Sequence, residues 1–372
     1  MPFGTLHAAG NAVELHPKAL LGAGWDDDPY LDGSTGGDAF ARGLAALEVR
    51  LHGTGAWRAD AELGVETRRY AEVDERNWTG GQARAAVMRR DEDSLLLLRS
   101  SSVDDQEPIT AVPEQVERRR SDAEAIAARE GKRWRIEGRL GFDRLDYLED
   151  APTFGRDEKD HDRLRMGLSL MWLGADRSLL GIAVSGEDVR LDPTSTISDH
   201  RQLAIAARWR HAFSERSGAE VRLGGQLRRH DAGSPGGQDD RSLASPLAAA
   251  ELLWRWEAQS HLFVGGEYGL ADGAAEGSNA SRQAMLVTRG MLRIADRLAL
   301  MHYAHLVLRA DTGALPGRDR EERSNAVLRI GPEYRLGRGI GLRGWLGLYD
   351  VESRTGTDTD RHEASVEVVV AF

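Results

Sequence analysis

Arginine recurs at intervals of two or four positions in several segments of the chain, for example at Arg133, Arg135 and Arg139, at Arg163 and Arg165, and at Arg208 and Arg210. The planar guanidinium group can donate two parallel hydrogen bonds to a carboxylate or a phosphate. In an extended strand, residues two apart lie on the same face. The spacing therefore predicts a basic surface that can bind anionic solutes.

The candidate binding residues share this spacing, and a tyrosine and a histidine join them on the same kind of face. They are Arg133, Arg135, Arg139, Arg163, Arg165, Arg208, Arg210, Arg222, Arg329, Arg343, Tyr303 and His305. Acidic residues such as Glu137 and Glu220 alternate with the arginines. The arginines could form a path for an anion, or they could pair with these acids across neighbouring strands and brace the wall.

Strands must position these side chains, because the hydrophobic period is two along most of the chain. In the segment RLRMGLSLMW, residues 163–172, one face carries Leu164, Met166, Leu168, Leu170 and Trp172, and the other begins with the two arginines. Such alternation is typical of strands with one apolar face. The segment 114–130 has helical propensity, but its alternating alanines favour a strand. We count about 18 strands.

The connections between these strands alternate in length. Short ones such as RDED, 90–93, and EGK, 130–132, separate long polar ones such as 149–162 and 231–246. This alternation is typical of an up-and-down barrel that spans a membrane, and a closed barrel leaves no backbone group unpaired in lipid. The predicted fold is all-β, a transmembrane antiparallel β-barrel of about 18 strands. A two-sheet sandwich with buried apolar faces is the alternative.

Composition excludes several classes of function. The 372 residues contain no cysteine, which removes disulfides and thiol chemistry. The net charge is −11, so the chain lacks the overall basic charge of a nucleic-acid-binding protein. Mean hydropathy is −0.47, and no apolar run is long enough for a transmembrane helix.

No motif indicates catalysis, a cofactor or a metal site. The segment GIGLRG, 339–344, fits a dinucleotide-binding pattern, but the residues that follow continue a strand rather than a helix. We read its glycines as strand positions. The histidines lack ligand spacing, so we predict a non-enzyme without cofactor or metal.

The organisation that we predict is a single barrel domain over 13–372. Residues 1–12 carry few charges and small residues, and they fit a signal-peptide remnant or a flexible start. The long connections at 103–117 and 231–246 are the candidates for a gate or a plug.

A resemblance to a known family rests on the segment 13–33 and on the last strand. The matching residues are Pro17, Gly24, Trp25, Asp26 and Asp27, with Asp28 where asparagine is usual. They resemble the opening of the beta-barrel porin type 2 family, whose members are associated with exopolysaccharide systems. The final Phe372 resembles the C-terminal signature of bacterial outer-membrane proteins.

The resemblance implies a porin in the outer membrane of a Gram-negative bacterium that exports an exopolysaccharide, with an acidic polymer suited to the arginines. The implied partners are outer-membrane lipid and lipopolysaccharide, the polymer, and a periplasmic or inner-membrane secretion component. The alternatives are a general or anion-selective diffusion porin for small solutes, and a structural barrel that conducts nothing.

Overall fold

The structure is a computed structural model, and it describes fourteen ranges of the chain. They are 5–8, 11–28, 36–53, 56–105, 117–148, 160–174, 177–192, 199–231, 242–257, 260–272, 280–311, 322–337, 339–354 and 358–371. Among these residues, no helix is long and apolar enough to cross a membrane.

Within the described ranges the chain forms nineteen strands and one short 3-10 helix, Asp74–Arg76. The strands are β1 Thr5–Ala8, β2 Asn11–Asp26, β3 Asp38–His52, β4 Trp57–Tyr70, β5 Trp78–Arg90, β6 Ser94–Asp105, β7 Arg118–Glu130, β8 Trp134–Tyr147, β9 His161–Leu173, β10 Ser178–Leu191, β11 His200–Ala212, β12 Gly218–His230, β13 Ser242–Glu257, β14 Ser260–Asp272, β15 Ala280–Ala295, β16 Leu298–Asp311, β17 Glu322–Gly337, β18 Ile340–Ser353 and β19 Thr359–Ala371.

Strands β2 to β19 form one closed antiparallel barrel. Each strand pairs with the next along the chain, and β19 pairs with β2 from Glu363 opposite Asp26 to Ala371 opposite Lys18. The short β1 adds a hairpin to the start of β2. Eighteen strands therefore close the sheet, which confirms the predicted fold. Within the segment with helical propensity, Arg118–Glu130 form strand β7.

The outer wall of the barrel is apolar and exposed. Leu168 and Trp172 on β9 and Leu346 on β18 are each 61% exposed, and similar side chains surround the barrel. Water would make such a surface costly, whereas lipid is its natural environment. Because successive side chains alternate across a strand, the intervening residues line the lumen.

Several predictions concern residues that lie at or beyond the ends of the described ranges. Gly339, which we predicted as a strand position, lies in the turn before β18 with φ 77°, a conformation that suits glycine. Strand β2 begins at Asn11, inside the predicted N-terminal segment 1–12, and the processing of that segment stays a prediction. Phe372 and most of the two candidate gate connections lie outside the described residues.

Candidate functional site in the barrel lumen

The structure places eleven of the twelve candidate residues on the inward face of a strand. Trp134, Ile136 and Leu140 are exposed on the outside of β8, so Arg135 and Arg139 point into the lumen. The same alternation places Arg163, Arg165, Arg208, Arg210, Arg222, Tyr303, His305, Arg329 and Arg343 inward. Arg133 is the exception, because it lies in the turn before β8.

Glu137 is the centre of a cluster that joins strands distant along the chain. Its carboxylate is 2.9 Å from Arg139, 3.3 Å from Arg135 and 3.2 Å from Arg208. Arg208 reaches it from β11 across β9 and β10, and it also donates a hydrogen bond of 3.0 Å to Ser169. Glu137 is only 4% exposed, and arginines from two strands, β8 and β11, hold this carboxylate in place.

The side chain of Arg208 can extend to Glu137 because β9 and β10 approach each other closely at Gly181. A Cβ atom at Gly181 would lie 2.0 Å from the carbonyl oxygen of Leu170, which no other residue could tolerate without a backbone shift. Gly181 pairs with Arg208 in the register, so the wall beside this arginine carries no side chain. The guanidinium group can therefore extend toward Glu137.

Glu220 on β12 continues the cluster. It accepts hydrogen bonds from Arg208 at 2.8 Å and from Arg210 at 2.7 Å, and Arg222 lies 3.7 Å away. On the other side, Asp143 lies 2.8 Å from Arg165 and 3.9 Å from Arg163. We define the arginine patch as these groups: Arg135, Arg139, Arg163, Arg165, Arg208, Arg210 and Arg222, with Glu137, Asp143 and Glu220.

The arginine patch is compatible with both roles predicted for the arginines, which are bracing the wall and forming a path for an anion. Each arginine has a carboxylate neighbour, as the bracing role requires. Two further acids lie beside the patch, Glu130 at 3.5 Å from Arg135 and Glu251 at 3.7 Å from Arg222. The seven arginines outnumber these five acids, so the patch keeps a positive charge after pairing. Arg139 is 48% exposed and Arg165 is 51% exposed, so these two side chains are open to the lumen.

A second cluster, the seam cluster, lies where the barrel closes, and it consists of Asp26, Arg68, Arg361 and Glu363. Arg361 is 1% exposed and donates two hydrogen bonds to Asp26, of 2.7 and 2.5 Å. Arg361 and Arg68 each lie 3.2 Å from Glu363. Sequence reasoning missed Asp26 and Arg361 as lumen residues, because acidic loops flank both.

Tyr303 and His305 lie side by side on β16, with ring centroids 6.4 Å apart. Nearby, Arg289 lies over the ring of Phe263 at 5.0 Å, and Arg329 lies over Trp345 at 5.5 Å. Sequence reasoning missed Phe263. Within the described residues, no group of acidic or histidine side chains is arranged to hold a metal ion.

Known proteins match this chain in structure only, since no family model and no curated protein matches it. OpdK from Pseudomonas aeruginosa, solved with vanillate, has a TM-score of 0.50, 10% identity, and coverage of 96% of this chain and 98% of its own. OccK2 (OpdF) from the same organism, in complex with glucuronate, has a TM-score of 0.48, 13% identity and the same coverage. OccAB3 from Acinetobacter baumannii has a TM-score of 0.46, 10% identity, and coverage of 98% of this chain and 100% of its own.

The likeness to OpdK, whose TM-score reaches 0.50, concerns the fold alone. The chain is an 18-stranded barrel of the kind found in outer-membrane porins of Gram-negative bacteria, as the sequence predicted. Membership of the beta-barrel porin type 2 family is not shown, because no family model matches.

Proposed function

We propose that this chain is an outer-membrane diffusion porin that prefers small anions. The observation that carries the proposal is the arginine patch, in which seven arginines on the lumen wall outnumber the five acids that pair with them. A ring or patch of arginine in a pore favours anions. The carboxylates hold the guanidinium groups in place, and the remaining positive charge acts on the solute.

The proposal replaces the export of an exopolysaccharide, which the sequence led us to predict. The comparisons give that reading no support, and they favour its alternative, a porin for small solutes. OpdK was solved with vanillate and OccK2 with glucuronate. The binding of these two molecules is a property of those two proteins. A passive channel needs no catalytic residue, cofactor or secretion partner, and lipid surrounds its apolar outer wall.

Ion selectivity of the purified protein in a planar lipid bilayer tests this proposal. With a gradient of KCl across the bilayer, we expect a reversal potential that shows chloride to be more permeant than potassium. Cation preference would overturn the proposal. The absence of any conductance would identify a structural barrel instead.

Acidic and neutral oligosaccharides added to either side distinguish diffusion from export. A diffusion porin should show brief and infrequent blocks by these chains. Long current blocks by acidic chains, from the periplasmic side in particular, would restore the export hypothesis.

A further inference from the structure

We propose that two copies of this chain associate in the membrane through the outer wall of β15 and β16, with a hydrogen bond between the two copies at His302. The inference goes beyond the proposed function, because it concerns the lipid-facing wall and not the lumen. Four outward residues carry it, and we call them the contact patch: Thr288, Gly290, His302 and Ala304.

The contact patch faces lipid. Leu306 and Leu308 are exposed on the outside of β16, so the even-numbered residues of this strand, His302 among them, point outward. Leu286 and Leu292 are exposed on β15 in the same way, which places Thr288 and Gly290 on the outer wall.

His302 lies inside the apolar band of the wall. Leu298 and Leu300 lie outward on its short-connection side, and further leucines lie on its long-connection side. Leu298 pairs with the exposed Tyr334, an aromatic residue near the short-connection end of β17. His302 is four residues farther along β16, which is about 10 Å along the membrane normal for a strand tilted by about 40°. The apolar band is about 25 Å tall, so it encloses this histidine.

An ionisable side chain in this position is an exception on the outer wall. Within the described strands, every other outward Asp, Glu, Lys, Arg or His lies within three residues of a strand end, as Arg144 and Asp146 do on β8. A polar group in hydrocarbon is unfavourable unless it is hydrogen-bonded. Polar residues inside a membrane therefore tend to have a partner and a function.

One nitrogen of the imidazole already has a partner. Thr288 Oγ1 lies 3.1 Å from His302 Nε2, within hydrogen-bonding distance. The ring packs in a notch over Gly290, where a Cβ atom would lie 2.6 Å from the ring atom Cε1. Within the described residues, no hydrogen bond engages Nδ1. A neutral imidazole has one donor and one acceptor nitrogen, so Nδ1 keeps the capacity for one further hydrogen bond.

A second copy of the chain can supply that hydrogen bond, whereas acyl chains cannot. It carries the same histidine at the same depth, and a twofold axis along the membrane normal brings the two rings together. The hydroxyl group of Thr288 can donate to Nε2 in one copy and accept from it in the other. Nδ1 is then a donor in the first copy and an acceptor in the second. The small residues Gly290 and Ala304 allow the two walls to approach closely.

Cross-linking tests the location of the contact. The chain has no cysteine, so a single introduced cysteine reports on one position. In phosphatidylcholine vesicles treated with a short bis-maleimide, we expect Ala304→Cys to give a covalent dimer. Ala125→Cys is the matched control, because Ala125 pairs with Leu98 and Leu140 on the outer wall of β7, half of the 18-stranded barrel away from β16. It should give only the yield of random collisions.

Substitutions test the hydrogen bond, with the dimer fraction measured by single-molecule photobleaching at several ratios of protein to lipid. His302→Leu should raise the dissociation constant of the dimer about 3- to 30-fold, the factor expected for a hydrogen bond between membrane-embedded segments. Thr288→Val should act in the same direction, and His302→Gln, which keeps a donor and an acceptor, should retain most of the association. His211→Leu is the control, because His211 is an outward histidine near the end of β11 that is 2.7 Å from Ser178.

Urea unfolding separates association from folding. Leucine is favourable in lipid, so His302→Leu should leave the stability of the dilute monomer unchanged or higher while the dimer weakens. Equal cross-linking at Ala304→Cys and Ala125→Cys would overturn the inference. An unchanged dimer fraction in His302→Leu would also overturn it, and would leave the contact with Thr288 as an internal one. Cross-linking in whole outer membranes to a different protein alone would show that the partner is not a second copy.

Discussion

Replacing Arg139 with glutamine should lower the anion preference of the channel in a manner that depends on salt. Arg139 is about half exposed to the lumen and pairs with Glu137 at 2.9 Å. The variant removes one positive charge, whereas Glu137 keeps Arg135 and Arg208 as partners. The carboxylate thus stays in place, and the change is mainly electrostatic.

The size of the effect follows from Coulomb's law. For a monovalent ion about 8 Å from the lost charge in water, the interaction is about 0.5 kcal/mol before screening. At 0.01 M salt, screening leaves about 0.4 kcal/mol, while at 1 M almost none remains. An anion loses this energy and a cation gains it, so the permeability ratio should fall about fourfold at 0.01 M and about 1.1-fold at 1 M.

Reversal potentials at several KCl concentrations measure this ratio. Two variants serve as controls on the same strand: Arg139→Lys keeps the charge, and Arg144→Gln removes a charge from the outer face, where Arg144 pairs with Asp146. Both should leave the ratio near that of the unmodified protein. The reasoning is refuted if Arg139→Gln has no effect at low salt, or if Arg144→Gln has an equal one.

Three further variants test the packing of the wall, with unfolding by urea as the measurement. Replacing Arg361 with methionine removes both hydrogen bonds to the buried Asp26, although Glu363 keeps Arg68 as a partner. The variant should cost about 3–5 kcal/mol, against at most about 1 kcal/mol for the exposed Arg354→Met. Gly181→Ala should destabilise the barrel by about 1–3 kcal/mol, whereas Gly138→Ala, where a Cβ meets nothing within 4 Å, should not. Leu168→Arg places a charge in the lipid and should cost about 2–4 kcal/mol. Equal effects in each matched pair, or a neutral Leu168→Arg, would contradict these expectations.

The fold could be predicted from the sequence because its information is local. On β9 the apolar residues at even positions, Leu164 to Trp172, alternate with the residues at odd positions, Arg163 to Ser169. This alternation assigns a lipid face and a lumen face without knowledge of any partner strand. The same pattern placed the candidate arginines on the inner wall. Arg133 was misplaced because a strand boundary, unlike a face, depends on where the turn closes.

The clusters in the lumen could not be predicted in the same way. The contact of Arg208 with Glu137 joins residues 71 positions apart, and it depends on the register of three strand pairs and on the absence of a side chain at Gly181. The contact of Arg289 with Phe263 has the same origin, since the two become neighbours only through the pairing of β14 with β15. Register is a property of strand pairs, which a single strand does not reveal.

The pairing of β19 with β2 has a consequence for the order of folding. Every other pair of barrel strands forms a hairpin between consecutive segments, whereas this pair joins residues 335 positions apart at Arg361 and Asp26. Local pairs close with a small loss of chain entropy, and distant pairs with a larger one. We therefore expect the hairpins to assemble first and the seam to form after them. Until it does, the growing sheet has two free edges that could pair with another chain.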